Sequence, residues 1–230
     1  MATKIEYATD TLNIVTGCTP ISEGCASCYA KRMANRLAGR YGYDEHDPFK
    51  VTFHPDKLAD VKKWRKPRIA FVSSMGDLFH EDVPDAWIDE VVMAMMYDNK
   101  HKFLLLTKRP ERMVQYVTDK GLIEADWIWY GVTAENQKRW DERVPILMEL
   151  NAGVRFVSVE PMLGPVTLNG MKPEWTICGA ETGPGARRMD QKWAEDLLYE
   201  CDIEGIPFFF KKMGANRETP QKLLVREMPK

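Results

Sequence analysis

The sequence predicts an α/β protein built as a partial (β/α) barrel of six to seven units with mainly parallel strands. Three observations predict it. Short runs nearly continuous in Ile, Val, Leu and Phe, as strands buried on both faces require, alternate with amphipathic stretches of helical period. A polar or Gly-rich loop follows each of those runs. The 230 residues leave room for slightly fewer than eight strand–helix units. A doubly wound sheet is the alternative at this point, because strand order is not readable from one sequence.

The strand runs are Leu12–Gly17, Arg68–Ser74, Lys102–Thr107, Trp127–Thr133, Val154–Val159, Trp175–Gly179 and Ile206–Lys211. The first helix, over 28–38, sets Tyr29, Met33, Ala34 and Leu37 on one side, with Lys31, Arg32 and Arg36 outside that stripe. Gly39 supplies its stop. The second, over 84–98, has Pro84 in its first turn and Trp87, Ile88, Val91, Val92, Met95 and Met96 on a face, and the methionines of 93–96 are assigned to the core. Helices over 110–118 and 136–150, the latter interrupted near Pro145, follow. The last, over 190–203, takes Asp190 as its N-cap and Trp193, Ala194, Leu197, Leu198 and Cys201 as its core stripe. No repeat, low-complexity tract or linker divides the chain, so residues 1–230 are expected to form a single domain.

Composition narrows the class. With 44% hydrophobic and 29% charged residues, the chain can bury a full core, which excludes a disordered chain, a collagen-like fibre and a coiled coil. No run approaches the roughly 18 apolar residues of a membrane span, and the N-terminus has no basic region followed by an apolar one. A cytoplasmic protein without membrane partners is expected. The net charge of −2 is uneven, with residues 71–205 carrying 24 Asp/Glu against 14 Lys/Arg, and both ends mildly basic. That excludes a dedicated duplex-binding module. Lys31–Arg40 and Lys62–Arg68, the latter containing Trp64, remain candidate contacts for nucleic-acid phosphates.

The chemistry concentrates after the first strand run. Cys18, Cys25 and Cys28 are spaced C-x6-C-x2-C, while Cys178 and Cys201 stand alone and are read as small buried hydrophobes. In a chain without an export signal a thiol trio favours a metal over disulfides. Two metals fit. Three thiolates can hold a [4Fe–4S] cluster with one iron lacking a protein ligand, which the amino and carboxylate groups of S-adenosylmethionine can occupy. Alternatively, His46 or His54 completes a structural zinc site in a nucleic-acid-binding protein without redox chemistry.

The ordered set GCTPISEGCASCYA, FVSSMGDLF, LLTKRPER, YGVTAENQ, VSVEPMLGP, CGAETGPGAR and PFFFKK resembles the phage Gp37/Gp68 family, which is similar to radical S-adenosylmethionine enzymes. The likeness covers nearly the whole chain. It departs from the common radical pattern C-x3-C-x-aromatic-C: the first gap is longer, Ser27 precedes the third cysteine, and Tyr29 follows it. The resemblance implies that Cys18, Cys25 and Cys28 hold the cluster, and that S-adenosylmethionine yields a 5′-deoxyadenosyl radical that abstracts hydrogen from a substrate. It places cofactor contacts at Tyr29, at Ser73, Ser74, Met75, Gly76 and Asp77 for the methionyl ammonium, at Thr107 and Lys108 or Arg109 for its carboxylate, and at Thr133, Glu135 and Asn136 for ribose hydroxyls. Turn formation, solvation and helix capping are the plain alternatives for these loops. Glu160 and Glu181 are expected to meet substrate or position a proton donor, or else to pair with Lys211 or Lys212. Arg187 and Arg188 follow a Gly-Pro-Gly segment able to cover a ligand. A nucleobase or nucleotide of phage DNA is the implied substrate, with an electron donor such as flavodoxin or ferredoxin, in the host cytoplasm if the chain is phage-encoded.

Overall fold

A computed structural model describes residues 3, 5–122, 125–214 and 217–229. Seven parallel strands form one sheet: β1 (Asp10–Leu12), β4 (Ile69–Val72), β5 (Lys102–Thr107), β6 (Ile128–Thr133), β7 (Arg155–Val159), β8 (Trp175–Cys178) and β9 (Phe208–Phe210). Their order in the sheet, β1-β4-β5-β6-β7-β8-β9, is also their order in the chain. A doubly wound sheet needs a point where that order reverses. None exists here, which decides for the barrel class, one strand short of eight. Two short strands, β2 (Val15–Thr16) and β3 (Thr52–Phe53), pair antiparallel apart from the sheet.

The expected strand Leu12–Gly17 is therefore corrected. The chain leaves the sheet after Leu12, at Asn13, whose side-chain oxygen accepts from Ser74 Oγ (3.1 Å) and from the Met75 amide (3.2 Å). The other strand runs hold with ends trimmed by at most two residues, and β5 falls on Lys102–Thr107 as read.

The helices are α1 (Tyr29–Leu37), α2 (Leu58–Lys62), α3 (Asp85–Met95), α4 (Pro110–Asp119), α5 (Gln137–Leu147) and α6 (Gln191–Glu204). α5 runs through Pro145 and ends two residues later. Asp190 caps α6, accepting from the Lys192 amide at 2.9 Å, and Gly205 closes it in the left-handed conformation at φ 66°. Between β7 and β8 there is no helix. Pro161, Gly164, Pro165, Gly170 and Pro173 within that connection account for it. Three residues assigned to the core lie outside: Tyr29 is 55% exposed, and of the methionines Met93 (65%) and Met96 (47%) face solvent while Met95 is buried.

By their contacts the residues fall into two units. The first, residues 1–21, 28–107 and 127–129, contains β1 to β5, α1, α2 and α3. Its small cluster of Ala30, Ala34 and Met75 has Cys28, Met33, Tyr43 and Phe49 packed against it. The second, residues 22–27, 108–126 and 130–230, contains most of β6, then β7 to β9 and α4 to α6. Trp140, Phe156, Trp175, Phe208 and Phe210 are its large buried side chains. No helix among the described residues is long and apolar enough to cross a membrane.

Candidate active site

In a parallel α/β sheet, ligands gather at the carboxyl ends of the strands. In the first unit those ends carry the loops 17–19 and 73–77. Three consecutive amides fix the first. Gly17 N donates to Met75 O (2.9 Å), Cys18 N to Phe49 O (3.2 Å), and Thr19 N to the His80 ring at Nε2 (3.1 Å). Gly17 has φ 85° and runs against the Lys50 carbonyl, so no side chain fits there. Gly76 is equally tight, since a Cβ would meet Gly17 O at 2.8 Å. Cys18 and Cys28 are both half-exposed and outside any disulfide. Of the two histidines considered for zinc, His54 is buried with its Nε2 2.8 Å from Thr16 Oγ1, and His46 is exposed.

The loop after β4 has its own signature. Ser73 is a non-glycine residue at φ 57°, only 3% exposed, and its hydroxyl meets no partner. A strained backbone together with an orphaned buried hydroxyl is the pattern of a ligand-contacting position. Asp77, also buried, accepts from Thr107 Oγ1 (2.7 Å) and from the Phe79 amide (3.0 Å).

The second unit holds Cys25 within a short turn, Glu23–Cys25. Glu135, after β6, is fully buried and ties that turn down. Its carboxylate accepts from Lys108 Nζ (2.6 Å), from Arg143 Nη1 (2.9 Å) and from Ser22 Oγ. Burial opposes its charge more than any single contact favours it. Lys108, Ser22 and Arg143 together outweigh burial and hold the carboxyl below its ordinary range. Lys108 also lies 3.2 Å from Ser22 Oγ and 3.6 Å from Cys25 Sγ. Gly24 packs on Glu135 so closely that a side chain there would strike it. Arg139 clasps the Glu23 carboxylate (2.9 and 3.2 Å), pulling Glu23 down to about 2, chiefly through that hydrogen bond. Arg187 donates to Glu23 O (3.0 Å) and to the Glu181 carboxylate.

The sequence-named residues thus divide. Glu160 pairs with Lys211 (2.7 Å), whereas the acid partner described for Arg187 is Glu181. Asn136 caps α5, accepting from the Arg139 amide at 3.1 Å, and Thr133 is buried with its carbonyl taken by Arg143 (2.8 Å). Tyr29 faces solvent at the start of α1. Sequence reasoning missed Asn13, Ser22, His80, Arg139 and Arg143. For Arg143 a signal existed: it falls on the stripe of Trp140, Val144 and Leu147, where a charge needs a buried partner.

Among the described residues no three His, Cys, Asp or Glu side chains already converge as a metal-holding group. The donor chemistry nonetheless separates two kinds of cysteine. Cys18, Cys25 and Cys28 are half-exposed and form no disulfide. Cys178 and Cys201 are buried, and burial pushes the Cys201 thiol up to about 12 and Cys178 higher still. Only the first three suit thiolate ligation, and three thiols without a fourth suit a cluster that leaves one iron open.

The chain belongs to the family described as a protein of unknown function, DUF5131, which it matches over residues 2–227. No curated protein sequence matches it. Among solved structures it is similar to spore photoproduct lyase. The complex with dinucleoside spore photoproduct aligns at TM-score 0.54 and 11% identity, covering 87% of this chain and 62% of that one. A double mutant of the lyase with bound AdoMet and dinucleoside spore photoproduct aligns at 0.54 and 12% over the same shares. A single mutant aligns at 0.57 and 12%, over 92% and 79%. In the first two alignments the chain spans 62% of the lyase's length. The likeness is one of fold, and it bears out the partial (β/α) barrel.

Proposed function

We propose that the chain is a radical S-adenosylmethionine enzyme acting on a nucleotide or nucleobase. The observation that carries the proposal is the segment after β1: it holds three half-exposed thiols, none in a disulfide, within eleven residues, in a fold shared with a protein whose structure contains AdoMet. The motif likeness to phage Gp37/Gp68 proteins points the same way. Cys18, Cys25 and Cys28 would hold a [4Fe–4S] cluster. When bound, the cluster and S-adenosylmethionine supply a reducing electron and hydrogen abstraction by a carbon radical.

The chain's own residues bind and orient. The Ser73–Asp77 loop offers carbonyls, the unpartnered Ser73 hydroxyl and the Asp77 carboxylate to an ammonium group. Thr107 steadies Asp77 from the end of β5. Lys108 and Glu135, the candidates for the methionyl carboxylate and the ribose, already satisfy each other. Cofactor binding there would exchange that ion pair for cofactor contacts. Thr133 and Asn136 frame Glu135 within the same loop, and Tyr29 presents an exposed ring beside Cys28. Glu160 and Glu181 would likewise reach substrate by releasing Lys211 and Arg187. A dinucleoside ligand on the fold neighbour supports a nucleotide substrate here. Flavodoxin or ferredoxin is the class of electron donor such chemistry needs, and the cytoplasm, of a host if the chain is phage-encoded, is where both are found.

Iron content after anaerobic reconstitution tests the proposal. The wild-type chain should turn brown and hold about four irons, as do Cys178→Ser and Cys201→Ser. Cys18→Ala, Cys25→Ala and Cys28→Ala should each lose the cluster. A Cys18→Ala chain holding as much iron as wild type, or a colourless wild-type chain with stoichiometric zinc, would overturn the ligand assignment.

A further inference from the structure

We infer that His80 is a positioning residue for Cys18, fixing the direction in which the first thiolate meets its metal. The inference rests on the cluster reading above and extends it to a residue no motif identified.

His80 is fully buried, in the loop between β4 and α3. Nε2 accepts from the Thr19 amide at 3.1 Å and lies 2.8 Å from the Thr19 hydroxyl. The ring proton then sits on Nδ1, 3.0 Å from the Asp82 nitrogen. The backbone is held as well: His80 N donates to Asp77 O (3.2 Å) and Val83 N to His80 O (3.0 Å). One imidazole therefore joins the residue after Cys18 to the Ser73–Asp77 loop, across 61 positions of sequence. Thr19 also reaches outward, its hydroxyl donating to Glu81 Oε1 at 3.1 Å.

A buried histidine with its hydrogen bonds met is often no more than a core residue. Here its partner tells otherwise. Thr19 is exposed, so the ring spends a buried hydrogen bond on a surface residue rather than on the core. With Gly17 and Cys18 tied to Met75 O and Phe49 O, the Thr19 bond completes three successive fixed amides around a half-exposed thiol. Metal ligands perform best when groups behind them set their orientation, and loss of such a group commonly weakens metal retention about 10–100-fold. His80 does so through the backbone of the next residue and not by bonding the thiolate itself.

Three variants of the full chain test this: His80→Leu removes both ring nitrogens, His80→Gln restores a polar group near Nε2, and Thr19→Val removes only the exposed hydroxyl. Hydrogen exchange of the metal-free chain reads the loop directly. In His80→Leu the Thr19 amide should exchange at least about tenfold faster, with the sheet strands unchanged. In reconstituted protein, chelator release of iron should quicken about 10–100-fold, and the electron paramagnetic resonance of the reduced cluster should change. Glutamine should restore both, and Thr19→Val should show the same changes in smaller measure. Wild-type cluster retention and spectrum in His80→Leu, whatever its amide exchange, would reduce the residue to a core histidine. If His80→Leu does not fold, a wild-type spectrum and release rate in Thr19→Val would overturn the inference. The cluster reading fails separately, through iron retained by Cys18→Ala.

Discussion

Asp77 and Glu135 occupy equivalent places, each buried in a loop just past an apolar strand, yet they are held in opposite ways. The hydrogen bonds described for Asp77 come from neutral donors, the Thr107 hydroxyl and the Phe79 amide. Glu135 faces two cations, Lys108 and Arg143. Glu160 with Lys211 and Glu181 with Arg187 repeat the second arrangement. A neutral donor orients a carboxylate without cancelling its charge. A paired carboxylate has little field left to offer until its partner moves. In the loops after β6, β7 and β8 a ligand would have to exchange an ion pair to reach the carboxylate.

The largest expected effect tests the paired side. Glu135→Gln keeps size but leaves Lys108 and Arg143 facing each other without their anion. Breaking a buried pair in this way costs about 3–5 kcal/mol, and Lys108, still 18% exposed, sets this case near the lower end. For a chain of this length that is a fall in Tm of roughly 6–12 °C. Lys108→Met added to Glu135→Gln should recover part of it. A Glu135→Gln chain as stable as wild type, by calorimetry, would show the pair to be dispensable and erase the contrast.

The next effect tests the neutral-donor side. Asp77→Asn retains an oxygen to accept from Thr107 and Phe79, so stability should stay within about 1 kcal/mol of wild type. Binding of S-adenosylmethionine should weaken, because a charge-assisted hydrogen bond is replaced by a neutral one. The loss is on the order of 1.5 kcal/mol, about tenfold, and Asp77→Ala should approach a hundredfold. Titration calorimetry on the reconstituted protein measures both. Unchanged affinity in a folded Asp77→Ala chain would leave the residue as a turn cap.

None of this contrast was legible in the sequence, where FVSSMGD and YGVTAEN both read as an apolar strand followed by an acid. What periodicity carries is the strand–helix alternation, and β5, β7 and β8 emerged almost residue for residue because buried parallel strands are apolar throughout. The first strand misled for the same reason. Ile14 and Val15 are buried and apolar, so Leu12–Gly17 looks continuous, but the break at Asn13 depends on Ser74 and Met75, 61 and 62 residues away. A two-residue strand such as β3 offers no pattern to detect. The three cysteines were legible from spacing alone. The groups around them, His80 and Arg143 among them, were not, because ion pairs and backbone hydrogen bonds across such separations leave no local signature.

The smallest effect concerns the ion pair on the turn that carries Cys25. Arg139 holds Glu23 at about 2 in the folded chain, against an ordinary value of 4.5. A carboxylate depressed on folding contributes stability that is fully present above its unfolded value and disappears as pH falls through its folded value. The window is therefore from pH 4.5 down to about 2. Because the Glu23 side chain is 44% exposed, solvent screening keeps the contribution below about 1 kcal/mol, well under what the shift alone would suggest. Glu23→Gln should melt slightly below wild type at pH 7. The gap should narrow through that window and close below pH 2, where wild-type Glu23 becomes protonated in the folded chain, and added salt at pH 7 should shrink it as well. A gap that persisted unchanged to pH 2 would mean that the glutamine disturbs the turn by its shape. The charge would then have no part in holding the Cys25 turn, leaving Ser22, Lys108, Glu135 and the Arg187 bond to Glu23 O to hold it.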